Sequence, residues 1–409
     1  MFNRSTPFRA GACVGVLGAV LAVFGAIGTT RPAWADPPGG TAGWTKTFGD
    51  EFSASSLDST KWIKTFYWGD GNIGSDPQCY YDPNNVSVGS DLLNLNATYT
   101  GGGGKARTGS VVETYGKFAQ TYGYYEASIH NARGGPGTGY SWYLLDQGLS
   151  WPPELDIMEA PGLWNQQRAY LTYHYGSSSS PQYAQGYFGM DTTNGYHTYA
   201  VDWEPNLIIW YIDGVERFRT TQGVSSNPMY LVFQHSASDD TSWNGTANST
   251  TVWPNLEQVD WVRVYKNLVL NNGFEYGNLT GWSQWSSNGL SNFGVSDSAS
   301  GGSPHGGRFN LYHYNNVAYR QYTYQVVNVP NGTYKFSGWC NTSGVNACYI
   351  GVKNYGGNEV DAPVVTTGGW KFYSTPSFNV TNGKVEVFFY TDSPAGGWSS
   401  VDDLGLVKQ

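Results

Sequence analysis

The sequence ELDIME at residues 154–159 places three carboxylates within six positions. Only 13% of the 409 residues are charged, so this acidic cluster stands out. Because side chains alternate between the two faces of a β-strand, Glu154 and Asp156 are predicted on one face, with the apolar residue between them in a core. Strict alternation would turn Glu159 towards the core. A one-residue β-bulge near residues 157–158 returns it to the face of the other two acids.

Three carboxylates on one face of a sheet suit a particular chemistry and also a simpler structural role. Two glutamates held across a sugar-binding cleft are the groups that hydrolyse a glycosidic bond. Like charges this close do not all stay ionised, so one carboxyl is expected to keep its proton near neutral pH and to act as an acid. The alternative is an edge strand whose acidic residues only face solvent, because acidic-apolar alternation is common in antiparallel sheets.

Composition limits the class of protein. The chain has 54 Gly, 31 Tyr and 17 Trp, and aromatic residues make up 16% of it. This mixture favours an all-β architecture with wide polar-aromatic surfaces, on which Tyr and Trp faces stack against sugar rings. The net charge of −9 argues against a nucleic-acid partner, which requires a basic surface. We expect no membrane partner, and we expect a monomer.

The first 35 residues have the layout of a secretory signal peptide. Two arginines precede an apolar run at 11–28, and the sequence AWA at 33–35 has the small-x-small form of a cleavage site. Asp36 is the expected mature N-terminus, and the mature protein is expected to be extracellular. A membrane anchor is the alternative interpretation of the apolar run. Residues 36–43 then form a short flexible lead.

Three of the four cysteines lie beyond this segment. Cys340 and Cys348 are eight positions apart on what read as adjacent strands, and a secreted protein is expected to join them in a disulfide. Cys79 is then unpaired, and we interpret it as a small buried apolar residue rather than a nucleophile. Neither the cysteines nor the six histidines show zinc-type spacing.

The rest of the chain is predicted to form two β units. Short apolar-polar alternations separated by Gly, Asn and Asp run through residues 44–266, and Asp213-Gly214 after an apolar run is a strong hairpin signal. A unit of this length with such regular turns is predicted to be a curved sandwich of two sheets. The pattern restarts at residue 267, and residues 267–409 suit a second, smaller sandwich. No Pro- or Ser-rich linker separates the units, so we expect them to touch.

Several motifs in the first unit occur in the order and spacing of a known family. They are FGDEF at 48–52, YGYYEA at 122–127, ELDIME at 154–159, HTYAVDWE at 197–204, WYIDG at 210–214 and VDWVRVY at 259–265. With these motifs, residues 44–265 strongly resemble glycoside hydrolase family 16. The resemblance implies a concanavalin-like β-jelly-roll sandwich with a sugar-binding cleft on its concave face. The bulged six-residue motif is similar to that of the laminarinase, agarase and carrageenase branches.

The resemblance also implies a retaining double displacement. Glu154 corresponds to the nucleophile that forms the glycosyl-enzyme intermediate. Glu159 corresponds to the general acid, and then base. Asp156 lies between them and would tune their protonation. No cofactor is expected for catalysis.

Residues around the motif are candidates for substrate binding. Trp151 and Trp164 flank the predicted catalytic strand and are expected to stack on sugar rings, with core packing as their alternative. His174 occupies a strand position where the family often has a histidine near the acid/base, with a structural role as its alternative. Trp142 and Gln234 lie in stretches that depart from the family's usual sequence, and they are further candidates.

The second unit looks like a carbohydrate-binding module of the galactose-binding-like β-sandwich type. The resemblance rests on NGFE at 272–275, GTYKFSGW at 332–339 and VDDL at 401–404. Its candidates for sugar stacking, each with core packing as the alternative, are Trp339, Tyr355, Trp370 and Trp398.

The two resemblances also suggest structural calcium. Asp260 resembles a calcium-ligating position on the convex side of the family's sandwich. Glu275, with Asp402 or Asp403, resembles the ligands that such modules often use. Carboxylate oxygens are the side-chain ligands that Ca²⁺ prefers.

The leading hypothesis is a secreted, endo-acting retaining glycoside hydrolase with an appended sugar-binding module. Its substrate is predicted to be a β-1,3-glucan or a mixed 1,3;1,4-glucan. A β-galactan, cut by an endo-β-1,3-galactanase or agarase-like activity, is the second choice. A non-catalytic polysaccharide receptor is an alternative from another class, although it predicts a broken motif and all three acids are present. A transglycosylase shares the covalent intermediate and stays open.

Overall fold

The computed structural model describes residues 36–68, 78–239, 241–365 and 368–409. The predicted signal peptide, residues 1–35, lies outside the described residues. Regular structure in these ranges is β-strand apart from short 3-10 turns, at Thr41–Gly43, Pro83–Asn85, Gly162–Trp164 and Ser298–Ser300. No helix in the described part of the chain has the length and apolar character that crossing a bilayer requires.

Two antiparallel sheets form the first unit. Its strands are β1 (Thr45–Asp50), β2 (Cys79–Tyr81), β3 (Val86–Gly89), β4 (Leu92–Ala97), β5 (Arg107–Glu113), β6 (Gly123–Asn131), β7 (Thr138–Asp146), β8 (Glu154–Pro161), β9 (Arg168–Ser177), β10 (Ser180–Gly189), β11 (His197–Glu204), β12 (Leu207–Ile212), β13 (Val215–Thr220), β14 (Met229–Ala237) and β15 (Asn255–Lys266). The eight-stranded sheet has the order β13-β12-β11-β6-β15-β4-β3, and β1 also pairs with β15. The seven-stranded sheet has the order β10-β9-β8-β7-β14-β5-β2, in which only the β2–β5 pairing among the described strands is parallel. The predicted two-sheet sandwich is confirmed.

The core of the first unit lies between these sheets, because alternate residues of the strands are apolar. In β7, Trp142 and Leu144 are fully buried, whereas Ser141 between neighbouring inward residues is only half-buried. Trp203 on β11 and Trp210 on β12 enter the same core from the opposite sheet. Burying a large apolar side chain contributes roughly 1.5–3 kcal/mol, so these rings supply much of the stability that holds the sheets together.

A second, smaller sandwich follows. Its strands are β16 (Ser283–Ser286), β17 (Phe293–Asp297), β18 (Phe309–Tyr314), β19 (Tyr319–Asn328), β20 (Gly332–Ser343), β21 (Ala347–Lys353), β22 (Val360–Pro363), β23 (Lys371–Ser374), β24 (Phe378–Val380), β25 (Lys384–Ser393) and β26 (Trp398–Lys408). The five-stranded sheet has the order β16-β19-β25-β21-β22. The six-stranded sheet has the order β17-β18-β26-β20-β23, and β24 also pairs with β20.

The predicted Cys340–Cys348 disulfide is wrong. Both residues are free, buried thiols. Cys340 lies on β20 in the six-stranded sheet and Cys348 lies on β21 in the five-stranded sheet, so their strands face each other across the core and are not hydrogen-bonded neighbours. Burial raises the pKa of the Cys340 thiol, and it raises the pKa of the Cys348 thiol to about 12. Cys79 is buried, as predicted.

The two units touch, as the sequence predicts. Arg219 on β13 forms an ion pair with Glu275 of the second unit, Nη2 to Oε2 at 3.1 Å, and also donates to the Glu275 carbonyl at 2.8 Å. The same guanidinium donates to both carboxylate oxygens of Glu216, at 2.5 and 2.6 Å. The hydroxyl of Tyr276 donates to the carbonyl of Pro205. One edge strand of the eight-stranded sheet therefore anchors the second unit.

Residues 36–43, predicted to be a flexible lead, lie instead against the second unit. The indole N–H of Trp339 donates to the carbonyl of Gly39 at 3.1 Å. Gly43 approaches Gly405 on β26 so closely that a Cβ built on Gly405 would lie 2.0 Å from the Gly43 Cα. Only glycine permits such an approach of two backbones. Composition predicted flexibility, but a long-range contact fixes the segment.

We expect Arg219→Met to lower the free energy of unfolding by about 2 kcal/mol or more, because Glu216 and Glu275 would lose their cation in a largely buried site. Thermal unfolding followed by calorimetry measures this change. Arg320→Met is the control, since Arg320 pairs with Asp392 and its own side chain is 60% exposed. We expect this substitution to change the free energy of unfolding little. Equal effects of the two substitutions would contradict the anchoring role.

Candidate active site

A β-bulge interrupts β8 where the sequence predicts it. Tyr143 pairs with Asp156 and its neighbour Trp142 pairs with Met158, so the β7–β8 register shifts by one residue. The register of β8 against β9 shifts over the same span. Ile157 and Met158 are consecutive, yet both are fully buried in the core. Two adjacent side chains on the same side of a strand are the signature of a bulge, and the prediction is confirmed.

The bulge brings the three acids to one face of the seven-stranded sheet. Glu154 and Asp156 share a hydrogen bond, and the charges of both act on Glu159. Asp156 is 2% exposed, whereas the two glutamates are half-buried. The least accessible carboxyl therefore lies between the two that a substrate reaches.

The surroundings of Glu159 and Asp156 raise the pKa of both carboxyls. Burial raises the pKa of Glu159 well above its usual range, and the charges of Asp156 and Glu154 raise it further. The charge of His174 and a hydrogen bond with Trp243 act in the opposite direction. Burial also raises the pKa of Asp156, with a further contribution from Glu154. A raised pKa is the direction of shift that a carboxyl acting as a general acid requires.

Trp151 and His174 lie beside Glu154. The indole N–H of Trp151 donates to Oε2 of Glu154, and the Trp151 side chain is 45% exposed. His174 Nε2 lies 3.3 Å from Asp156 Oδ2, and its ring centroid lies 5.8 Å from that of Trp151. The structure therefore brings both sequence-predicted residues into the site. The hydrogen bond from Trp151 to a carboxylate is a role that sequence reasoning did not identify.

Trp164 lies at the opposite end of the row of acids. Its ring contacts those of Tyr170, at 5.3 Å between centroids, and Trp243, at 6.0 Å. The guanidinium of Arg168 lies 4.9 Å from the Trp164 ring and 4.8 Å from that of Tyr187. This end of the cleft is an aromatic wall that carries a positive charge. Sequence reasoning missed all but Trp164, because the other residues become neighbours only through strand pairing and a distant loop.

Gln234 lies on the cleft side of the sheet, whereas Trp142 lies in the core. Gln234 faces the cleft, where the Tyr143 hydroxyl donates to its Oε1 at 2.6 Å and its Nε2 donates to the Tyr81 hydroxyl at 2.7 Å. The prediction for Trp142 is wrong, because it is fully buried and stacks on Phe233 in the core at 5.5 Å. Alternation along β7 turns Trp142 inwards and presents Tyr143 to the cleft.

The second unit carries an aromatic groove on the outer face of its five-stranded sheet. A cavity of about 490 Å³ lies over residues of β16, β19, β21 and β25. Its aromatic lining consists of Trp285, Tyr322, Tyr324, Tyr349, Phe388 and Tyr390. Lys353 lies 4.1 Å from the centre of the Tyr322 ring and forms an ion pair with Glu386 at 3.4 Å. We call this cavity the charged groove, since it combines aromatic faces with charged side chains.

The structure contradicts two of the four stacking residues predicted for this unit. Trp339 is covered by the ring of His305, which stacks on it at 3.8 Å. Tyr355 is 5% exposed and belongs to the core. Trp370 and Trp398 line a separate cavity on the other sheet. The sequence did not reveal the charged groove, because its tyrosines follow the alternation that is common to most β-strands.

The calcium prediction concerns Asp260, Glu275 and Asp402. The Glu275 carboxylate accepts two backbone N–H groups, and the Asp402 carboxylate accepts three. Asp260 is buried at the register shift between β15 and β6. Within the described ranges, no group of three or more His, Cys, Asp or Glu residues is arranged to hold a metal ion. The calcium sites stay a prediction.

A jelly roll whose open face carries paired glutamates between aromatic walls has the equipment of a glycoside hydrolase. Comparison with known families agrees with this class. The family model described as Glycosyl hydrolases family 16 matches residues 73–263, and the model described as Carbohydrate binding domain matches residues 266–397. The chain belongs to glycosyl hydrolase family 16. It is an endo-acting β-glycosidase with a carbohydrate-binding domain.

The chain is similar to several individual proteins over different lengths. The chain is 30% identical over 386 residues to the keratan-sulfate endo-1,4-beta-galactosidase of Sphingobacterium multivorum. The aligned residues cover 88% of this chain and 85% of the relative. It is 29% identical over 226 residues to a beta-glucanase of Bacillus amyloliquefaciens, covering 52% of this chain and 85% of the relative. The catalytic domain of an endo-1,3-beta-glucanase (laminarinase) from Thermotoga petrophila RKU-1 superposes with a TM-score of 0.48 at 21% identity, covering 55% of this chain and 98% of that domain.

We expect Asp156→Asn to move the alkaline limb of the pH profile of kcat/KM to lower pH. The substitution removes one of the charges that raise the pKa of Glu159. A general acid, the role that the family resemblance implies for Glu159, is active only while it is protonated. A lower pKa of Glu159 therefore means that activity is lost at lower pH. Initial rates across pH measure the limb, and Asp213→Asn, at a carboxylate that pairs with His197, is the control. An unchanged limb in Asp156→Asn would refute this coupling.

Proposed function

We propose that the protein hydrolyses internal β-glycosidic bonds with retention of configuration, with Glu154 as the nucleophile and Glu159 as the acid and then the base. The bulge in β8 carries this proposal. It sets two carboxyls from one short segment on the same face, and a retaining enzyme needs its two carboxyls close together, about 5–5.5 Å apart.

In the first step, Glu159 would donate its proton to the departing glycosidic oxygen while Glu154 attacks the anomeric carbon. The raised pKa of Glu159 supports the role of donor. Trp151 donates to Oε2 of Glu154, which would orient the carboxylate and leave Oε1 for the attack. The leaving sugar departs with the proton, and the products of the step are an ester at Glu154 and an ionised Glu159.

In the second step, Glu159 would take a proton from water as the water attacks the ester and releases Glu154. The charge of Glu154 is one cause of the raised pKa of Glu159, and this charge is absent from the ester. Formation of the intermediate would therefore lower the pKa of Glu159, which suits its change from acid to base. The Trp243 hydrogen bond favours the same ionised form.

We expect Glu154→Gln to lower kcat by ~10⁴-fold or more while the fold is kept, because the amide does not form the covalent intermediate. Release of reducing ends measures activity, and circular dichroism verifies folding. Glu51→Gln is the control, at a half-exposed carboxylate that pairs with Arg263 at 2.9 Å. Near-normal turnover by Glu154→Gln would refute the assignment of the nucleophile.

We propose a polymer that contains β-linked galactose as the substrate, in preference to the β-1,3-glucan that the sequence favours. The relative that acts on keratan sulfate matches both units of this chain. Gln234, held by Tyr143 and Tyr81, supplies a fixed amide to the cleft that suits a sugar hydroxyl. Arg168 adds a positive charge that suits an anionic substituent such as a sulfate ester. Such polymers are extracellular, and we propose secretion on the same ground.

A β-1,3- or mixed-linkage glucan is the second candidate. The supporting observation is the beta-glucanase of Bacillus amyloliquefaciens, which matches at nearly the same identity although over half of this chain. Both candidates use the same two glutamates, so the difference lies in the walls of the cleft.

We expect reducing ends from keratan sulfate and from its desulfated form, and little from laminarin or lichenan. Arg168→Gln should lower kcat/KM on keratan sulfate by roughly 10-fold and change that on desulfated keratan much less, since one charge-assisted hydrogen bond is lost. Release from laminarin or lichenan, with none from either keratan, would establish the glucan candidate instead. Products longer than the substrate would identify transglycosylation.

A further inference from the structure

The outer face of the six-stranded sheet in the second unit carries a groove of its own. The strands β18, β26 and β20 pair in a register that sets Tyr312, Ser400 and Asn341 in one cross-strand row. Tyr314 and Trp398 are paired in the next row. A cavity of about 310 Å³ lies over these two rows. We call it the neutral groove.

The lining of this groove combines aromatic walls with a polar floor. Tyr314 is 41% exposed, and Trp398 beside it is half-buried. Trp370 forms the opposite wall, and its indole N–H donates to the Ser303 carbonyl at 2.9 Å, which fixes the ring. The floor is made of serine and asparagine side chains, such as Ser400. None of the described residues that line the groove is charged.

The neutral groove is separate from the charged groove. The charged groove lies on the five-stranded sheet, whereas the neutral groove lies on the six-stranded sheet, and the apolar core of the unit lies between the two sheets. Lys353 and Glu386 line the charged groove. The two faces therefore differ in position and in the substituents that they suit.

We propose that the groove bounded by Tyr312, Tyr314, Trp370 and Trp398 is a second carbohydrate-binding site, for an uncharged oligosaccharide chain. Aromatic side chains stack on the apolar faces of pyranose rings, and serine and asparagine exchange hydrogen bonds with hydroxyl groups. A cavity of this size is typical of small-ligand sites. The lack of charge leaves a sulfated or carboxylated sugar without a counter-ion, so a neutral chain is the better occupant.

Two grooves on opposite sheets would let one module hold two sugar chains, or two segments of one chain. Binding at one groove raises the effective concentration of polymer at the other, so retention on a polymer exceeds the affinity of either groove alone. This inference concerns the second unit only and holds whichever bond the first unit cleaves.

The test uses the full chain with Glu154→Gln, so that no probe is consumed. The probes are laminarihexaose, neoagarohexaose and a hexasaccharide of N-acetyllactosamine, titrated by calorimetry. Trp285→Ala with Tyr349→Ala disables the charged groove, and we expect this variant to keep saturable binding of at least one probe. Adding Trp398→Ala should weaken the residual binding by 10-fold or more, and Trp398→Phe in its place should restore most of it. Tyr99→Ala, at an exposed ring of the first unit, is the control and should change nothing.

Circular dichroism checks each variant, and Tyr314→Ala replaces Trp398→Ala if the latter does not fold. The proposal is overturned if the variant with a disabled charged groove binds none of the three probes. It is also overturned if loss of the Trp398 or Tyr314 ring leaves the residual binding unchanged. Light scattering of the same samples detects self-association, and a Trp398-dependent change in mass without any effect on sugar binding would assign this face to a second copy of the chain instead.

Discussion

In β8, two consecutive side chains, Ile157 and Met158, are both buried between the sheets. Each contributes roughly 1.5–3 kcal/mol by leaving water, so the core holds the extra residue in place. Because the strand advances by one position there, Glu159 returns to the face that carries Glu154. The position of Glu159 relative to Glu154 is thus set by apolar packing underneath the two carboxylates.

The same burial governs the electrostatics of the site. Asp156 is almost inaccessible between two accessible glutamates, and its carboxyl contacts both Glu154 and His174. Charge therefore accumulates in a place with little water to screen it, and the pKa values of Asp156 and Glu159 rise together. A change in the charge of one acid therefore changes the pKa of its neighbours, and a two-step reaction with a covalent intermediate uses such a change.

Local pattern was enough to predict the two sandwiches and the bulge, because strand alternation and turn residues act over a few positions. Prediction of the site residues also required the facing of individual side chains and the order of the strands. Trp142 was assigned to the cleft although alternation along β7 turns it into the core. Tyr143, although only 6% exposed, takes the position on the cleft side instead. Cys340 and Cys348 read as neighbours, but strand order separates them into opposite sheets. Trp243 joins the site from a loop, and no spacing in the sequence relates it to Glu159.

The attachment of residues 36–43 to the second unit has a consequence for biosynthesis. Gly39 accepts its hydrogen bond from a residue 300 positions later, and Gly43 lies against Gly405 on β26. Until β20 and β26 have been translated, residues 36–43 lack the surface against which they pack. Contacts of such high sequence separation form late and slowly. Residues 36–43 are therefore fixed only after β20 and β26 have been translated.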